Sequence, residues 1–372
     1  EYIASYCIKL LPKGILRDLL VEGIISGVGA ILIFLPQILI LMFFLTILED
    51  TGYMVRVAFM MDRFMNKIGL HGKSVLPLMS GYACAIPGIM ATRTIDNWKE
   101  RLVTILILPL MSCSARLPIY TLMIGAFIPN QTILGILNLQ GVTMVFMYFL
   151  GTITAIIIAV IISQFIRERG KSSFVMEMPP YRMPLVITVF RQLFNRGKLF
   201  VLNAGKIIMA ISIVLWFLAS FPKSEGGIES IPIQDSYVGK IGHAIEPIIS
   251  PLGFDWKIGV GLLTSFAARE VVVSTLATLY NVEKKSDNIV GITQALKNDI
   301  NPTTGIPRYS PLVALSIMVF YVYAAQCMAT FAIVRNETNS WKWPLIMIFY
   351  MTGLAYGGSF LVYQGGLMLG YL

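Results

Sequence analysis

Charge is what this sequence has least of: Asp, Glu, Lys and Arg make up only 13% of its 372 residues. Histidine occurs twice, at His71 and His243, and cysteine four times, at Cys7, Cys84, Cys113 and Cys327. Each scarcity closes a class. With 56% hydrophobic residues and a mean hydropathy of +0.75, the chain has too little polar surface for a soluble globule, and lipid is the expected solvent. The cysteines lie far apart, three of them in or beside apolar runs, which argues against a disulfide framework. The two histidines show no metal-ligand spacing, and neither an HExxH helix nor a Ser-His-Asp arrangement is present. Gly72-Lys73-Ser74 fails as a phosphate-binding loop, because the first glycine of that motif would have to stand at Lys67. Residues 1–20 lack a basic leader followed by an apolar core, so no cleaved signal peptide is expected, and the opening reads as mid-protein, as in a fragment.

What the chain does have is long apolar runs, each near the roughly 20 residues that cross a bilayer. Six spans are expected: Gly23–Leu48, Leu102–Ile128, Val142–Ile166, Phe200–Phe221, Leu312–Val334 and Pro344–Leu372. Residues 13–22 read as amphipathic and interfacial. The fold class is therefore an all-α polytopic membrane protein. A net charge of +9 does not indicate nucleic acid, because the basic residues gather in loops beside apolar runs. Residues 167–198 carry seven of them against Glu168 and Glu177, which marks a cytoplasmic loop containing an amphipathic helix, whereas 222–246 carry two against four acids and lie outside.

Residues 68–92 and 252–278 are moderately apolar but interrupted near their middles by Gly, Pro, Ser and Thr. Non-helical backbone at membrane depth persists only inside protein or beside a water-filled cavity, so both are expected as broken helices or re-entrant hairpins. They also align with each other without a gap: Gly69–Lys73 falls on Gly253–Lys257, Ser80–Ala83 on Thr264–Ala267, and Asp62 on Glu246. The loop charges then make the two halves inverted-topology repeats, residues 1–166 and 200–372 joined by the basic loop 167–199.

Cys84 sits at the first break between Gly81 and Pro87. Cys113 lies in Pro109-Leu-Met-Ser112-Cys113-Ser114-Ala-Arg116-Leu-Pro118, and Cys327 in the corresponding span of the second half. Thiol ligands at a membrane midplane suit a transition-metal ion, and small buried hydrophobes are the plainer alternative. Glu270 stands at the centre of the second broken segment, either as a functional carboxylate or ion-paired with Arg269, Arg116 or Arg93. Arg116 is expected to donate a fork to carbonyls freed by Pro118.

The runs FLPQILIL (34–41), LEDTGYM (48–54), GLHGKS (69–74), SGYACAIPGIMATRTI (80–95), MSCSARLPIY (111–120), MEMPPYRMP (176–184), AAREVVVSTLATLY (267–280) and AAQCMATFAIVRNETNSWKWP (324–344) resemble the membrane domain of ferrous iron transport protein B. The resemblance implies Fe²⁺ as transported substrate, no permanently bound cofactor, and a bacterial inner membrane. It also implies duplicated gate motifs at 62–95 and 246–280, with Cys84, Cys113 and Cys327 handling the metal. Glu270 would add a hard ligand, and Gly81, Pro87, Ser112, Ser114, Arg116 and Arg269 would support or gate. Implied partners are the lipid bilayer, a cytosolic GTPase domain in cis and small Feo accessory proteins, with a homo-oligomer left open. This sequence carries neither the GTPase domain nor a cysteine-rich tail, so GTP hydrolysis is not assigned to it and the chain is read as a transporter, not an enzyme. The gate motif is shared with nucleoside-permease-like proteins, which keeps transport of an organic solute as the alternative.

Overall fold

The structure, a computed structural model, describes residues 14–133, 137–166, 181, 183–221, 236–266, 269, 271–280, 288–300, 307–325 and 328–370. Cys7, Cys327, Glu270 and residues 167–180, 182 and 222–235 of the two charged loops therefore lie outside the described residues.

The described residues open with a helical turn, Ile15–Asp18, and a π-helical stretch, Leu19–Ile25, that run directly into α1 (Ser26–Asp50). Of residues 13–22, expected as amphipathic and interfacial, Ile15 onwards is helical and continuous with α1. Gly52, at φ 76°, turns the chain into α2 (Tyr53–Ile68), and Gly69, at φ 87°, ends it. Glycine, without a Cβ, adopts that left-handed backbone at little cost. Helix α2 buries Met54, Ala58 and Met65 and exposes Phe59, Met60 and Phe64, an amphipathic division at helical spacing.

Next comes the first interrupted segment, α3 (Val75–Ala83) and α4 (Ala85–Ala91), with Cys84 alone in extended backbone between them (φ −155°, ψ 134°). The two helices fold back on one another, because a Cβ at Gly88 would lie 2.8 Å from the Pro77 carbonyl oxygen. The second interrupted segment is α11 (Trp256–Ser265) with α12 (Val271–Leu279), joined across by a 3.0 Å bond from Thr275 to Thr264.

The spans expected over 102–128 and 312–334 are not continuous helices. The first is α5 (Trp98–Ile107) and α6 (Leu117–Phe127), separated by two 3₁₀ turns with Met111–Cys113 extended between them. Pro109 lacks the N–H that the helix needs, and Pro118 starts α6 where a missing N–H costs nothing. The other is α14 (Pro311–Tyr323) and α15 (Met328–Thr338). Four helical runs among the described residues are long and apolar enough to cross a membrane: Trp98–Phe127, Leu139–Phe165, Pro311–Thr338 and Lys342–Met368.

The broken spans take the centre and the straight helices the outside. Leu102–Leu110 are buried without exception, whereas α7 (Leu139–Ile166) shows Val145, Phe149, Ile153, Ile157 and Ile161 along one face, and α16 (Lys342–Met368) shows Phe349 and Leu361. Apolar residues both inside and outside are the mark of a lipid-bathed bundle. Small residues let α16 approach α14 closely: Ser316 and Ser359 hydrogen-bond at 2.6 Å, and Gly358 lies against the Tyr323 ring. On the other flank, helices α8 (Val186–Phe200) and α9 (Lys206–Ser220) pack on the first span, with Gly23 against Trp216. The remaining helices are α10 (Tyr237–Ile249) and α13 (Asn288–Lys297), and a short β-hairpin pairs Thr132–Ile133 with Leu137–Asn138 ahead of α7.

Ion pairs mark the two ends of the α14–α15 span. At its C-terminal end Glu337 is gripped by Arg93, just past the first hairpin, through bonds of 2.6 to 3.0 Å, and by Arg101 of α5 at 2.5 Å. At its N-terminal end Asp255, the cap of α11, accepts from Arg308 (3.1 Å) and Tyr309 (2.9 Å), and Asp299 accepts from Lys257 (2.7 Å) and Tyr280 (2.5 Å). The bases of the two hairpins therefore grip opposite ends of the same span.

Two outcomes test these clusters. Glu337→Gln removes the one acid facing two guanidiniums and should cost about 2–3 kcal/mol in thermal or denaturant unfolding of the detergent-solubilised chain. Asp96→Asn, which opens only the exposed pair with Lys73, should leave the melting temperature unchanged. Burial tends to raise the Asp299 carboxyl, but the bonds from Lys257 and Tyr280 outweigh it and hold it below the ordinary carboxylate range. A depressed folded-state value stabilises above the unfolded value and loses that contribution as pH falls through the folded one. Wild type should thus outlast Asp299→Asn at pH 7, and their melting temperatures should converge as the pH drops below 3.8.

Candidate functional site

Four breaks in regular helix are drawn together at the middle of the bundle. At the first hairpin tip Cys84 is half-buried, and the preceding carbonyl, of Ala83, accepts a 2.9 Å bond from Ser114 Oγ in the break of the α5–α6 span. Ser114 follows Cys113, a buried residue with 5% exposure. One hydroxyl thus ties the Cys84 turn to the Cys113 turn. Gly81 makes the approach feasible, since a Cβ there would meet Leu108 Cδ2 at 2.8 Å. Pro87 is buried at the third position of α4, early enough in the helix for its missing N–H to break no internal bond. Past the tip, Ile86 and Ala329 form a small apolar cluster with Cys84, Met90 and Ile333 packed against it. Ala329 is one residue into α15, so this hairpin tip also reaches the break of the second span.

The second hairpin reaches the same break from the other side. Arg269 at its tip, 4% exposed, donates through Nη1 to the Tyr321 carbonyl at 3.0 Å and through Nη2 to those of Ala324 and Ala325 at 2.6 and 2.8 Å. The backbone N–H of Met328 donates to the Phe266 carbonyl at 3.1 Å. Helix α7 fastens both halves, its Thr152 bonded to Tyr82 of the first hairpin (2.7 Å) and its Thr154 to Tyr323 of the second span (2.9 Å).

Arg116 is fully buried and donates as a fork, but upstream: Nη2 to the Pro109 carbonyl at 3.1 Å, Nη1 to that of Met111 at 3.4 Å and to Ser112 Oγ at 3.2 Å. The carbonyls it serves lie where the chain leaves α-helix after Ile107, upstream of Pro118. Ser112 is likewise fully buried, against the backbone of Gly151 on α7. Arg93, offered by the sequence as a partner for Glu270, is engaged by Glu337 at the end of the span. The clamp on Glu337 went unread in the sequence because the apolar run stops at Val334, although an acid one turn further along the same helix was the available signal.

Of the expected site residues, then, the structure brings Cys84, Cys113, Ser112, Ser114, Gly81 and Arg116 around one pair of breaks and sets Arg269 at the other. Cys327 and Glu270 flank that second site in sequence but lie outside the described residues. Among the described residues no group of three His, Cys, Asp or Glu side chains is arranged to hold a metal ion.

Comparison with known proteins matches residues 31–127 and 201–341 to the family described as Gate: Nucleoside recognition, and residues 144–196 to Ferrous iron transport protein B C terminus. The Fe(2+) transporter FeoB of Leptospira biflexa is 45% identical over 366 residues, covering 98% of this chain and 53% of that protein. The Fe(2+) transporter FeoB of Staphylococcus aureus (strain COL) is 39% identical over 352 residues, 94% of this chain and 49% of that protein. A Fe(2+) transport protein A/Fe(2+) transporter FeoB fusion protein of Porphyromonas gingivalis is 38% identical over 99% of this chain and 46% of its own length. The chain thus spans about half the length of the relatives it matches. No solved structure gives a significant match.

The unequal burial of the two thiols has a measurable consequence. In a background with Cys7 and Cys327 changed to Ser, a small methanethiosulfonate reagent followed by mass spectrometry should label Cys84 first, and Cys113 only after unfolding. Equal rates would contradict the packing around Cys113.

Proposed function

This chain belongs to the Gate family and is the membrane part of an FeoB-type protein, and from that premise we propose that it forms the path by which Fe²⁺ crosses a bacterial inner membrane. One observation carries the reading: a hydroxyl bond from Ser114 to Ala83 joins the turns of Cys84 and Cys113 in the interior of a lipid-bathed bundle. Fe²⁺ accepts thiolate ligands as well as oxygen, so two sulfur groups at adjacent breaks suit successive hand-over of the ion. Cys84, the more exposed, receives it and Cys113 passes it on. Cys327 and Glu270 join the relay on the strength of their positions in the sequence, next to the second break.

Hairpins that grip opposite ends of one span support two inverted repeats, residues 1–166 and 200–372, with the gate motifs 62–95 and 246–280 entering from opposite faces. The basic loop 167–199 puts its side of the bundle in the cytoplasm. There the Glu337 cluster closes the inner end, and the Asp255 and Asp299 cluster the outer. A cytosolic GTPase domain in cis would bear on the inner end. The fused relative named for protein A favours a small accessory protein at the same face.

The Gate description's own words, Nucleoside recognition, favour a second reading, transport of a nucleoside-like solute. Such a ligand needs several convergent polar groups. The hydroxyls at the first tip are engaged internally, Ser80 to the Leu76 carbonyl, Tyr82 with Thr152 and Ser114 to Ala83, which weighs against it.

The test is Fe²⁺ uptake in cells expressing the chain within its full-length protein. Cys84→Ser, Cys113→Ser and Glu270→Gln should each reduce uptake about tenfold or more at equal expression, the loss of one strong ligand. Normal uptake in all three would overturn the assignment, and suppression of uptake by nucleosides would favour the second reading.

A further inference from the structure

A helix broken at membrane depth turns backbone carbonyls out of the helical hydrogen-bond ladder, and such carbonyls are the usual ligands of hard cations such as Na⁺, K⁺ or Ca²⁺. In this bundle guanidinium groups occupy them. Arg116 takes the carbonyls of Pro109 and Met111 in the first broken span, and Arg269 those of Tyr321, Ala324 and Ala325 in the second. The two arginines are not duplicates of each other, since one belongs to the span it serves and the other reaches in from a hairpin tip. Unrelated positions deliver the same group to the same kind of break.

A need for donors alone does not explain the choice. Hydroxyls serve elsewhere at these breaks, as Ser114 does for Ala83. A guanidinium brings a full positive charge into the hydrocarbon layer, at about 2.5–3.5 kcal/mol on insertion scales. Arg116 bears that charge at 0% exposure, with no carboxylate partner among the described residues and with its Nε unbonded. The charge has a use if its purpose is to stand where a competing cation would otherwise be held.

We propose that Arg116 and Arg269 are specificity-determining residues of the permease. They cap the carbonyl oxygens of the two breaks with fixed positive charge, which denies hard cations an oxygen cage and leaves the thiols of Cys84 and Cys113 to a softer transition-metal ion. An Fe²⁺ ion offsets the repulsion through metal–sulfur bonding, whereas Ca²⁺ and Mg²⁺ gain little from sulfur. The inference rests on the Fe²⁺ reading above.

The chain, reconstituted in lipid nanodiscs without oxygen, is titrated with Fe²⁺ alone and in the presence of Ca²⁺ or Mg²⁺, as wild type, Arg116→Lys and Arg269→Lys. Lysine keeps the charge but not the planar fork, so at least one carbonyl is released. In wild type a large excess of Ca²⁺ or Mg²⁺ should leave Fe²⁺ binding unchanged. In each variant Ca²⁺ should compete at about tenfold lower concentration, while affinity for Fe²⁺ alone stays within about threefold. Loss of a merely structural contact would weaken all ions together and leave their ratio unmoved. An unchanged ratio in folded variants overturns the proposal and leaves the permease reading standing. So does wild type in which Ca²⁺ competes as well as Fe²⁺, a measurement that needs no variant. Wild type that binds no Fe²⁺ removes the permease reading and this inference with it.

Discussion

A carbonyl oxygen in hydrocarbon has no water to turn to, and the arrangement of this bundle follows from that constraint. Every interruption of regular helix discussed above is placed where another part of the chain can supply a donor. Ala83 is served by Ser114, Leu106 by the hydroxyl of Tyr350, Pro109 and Met111 by Arg116, and Tyr321, Ala324 and Ala325 by Arg269. The broken elements therefore gather at the centre, and the uninterrupted α7 and α16, which satisfy their own backbone, face the lipid. A centre rich in irregular backbone is also the part of a membrane protein able to hold an ion.

Two kinds of bond secure the hairpins, and they differ in strength and place. At the bases, ion pairs fix Arg93 and Arg101 to Glu337 at one end and Lys257 and Arg308 to Asp299 and Asp255 at the other. At the tips, hydrogen bonds and small apolar contacts serve: Ser114 to Ala83 with Cys84 beside Ile86 and Ala329 at the first, and Arg269 to the carbonyls of Tyr321, Ala324 and Ala325 at the second.

Much of the architecture was legible in the sequence. Apolar runs of span length announced the crossings, and the Gly, Ser and Pro interruptions at 80–88 and 264–266 announced the hairpins, because lipid tolerates such composition only within protein. The interruption of the central spans was harder to see. The stretch from Leu102 to Leu110 is as apolar as any continuous helix, and hydropathy alone does not register that Pro109 and Ser112–Ser114 end one helix before another begins.

The sequence by itself determined solvent, element type and the candidate thiols, since these depend on composition and local spacing. Pairing was decided only in three dimensions. That Ser114 meets Ala83, that Arg116 turns back to Pro109 instead of forward, that Arg269 crosses to another span, and that Arg93 grips Glu337, all join residues far apart in the chain or reverse its direction. Local pattern carries no record of such partners, because each is selected by the whole bundle's need to leave no polar group alone in the lipid.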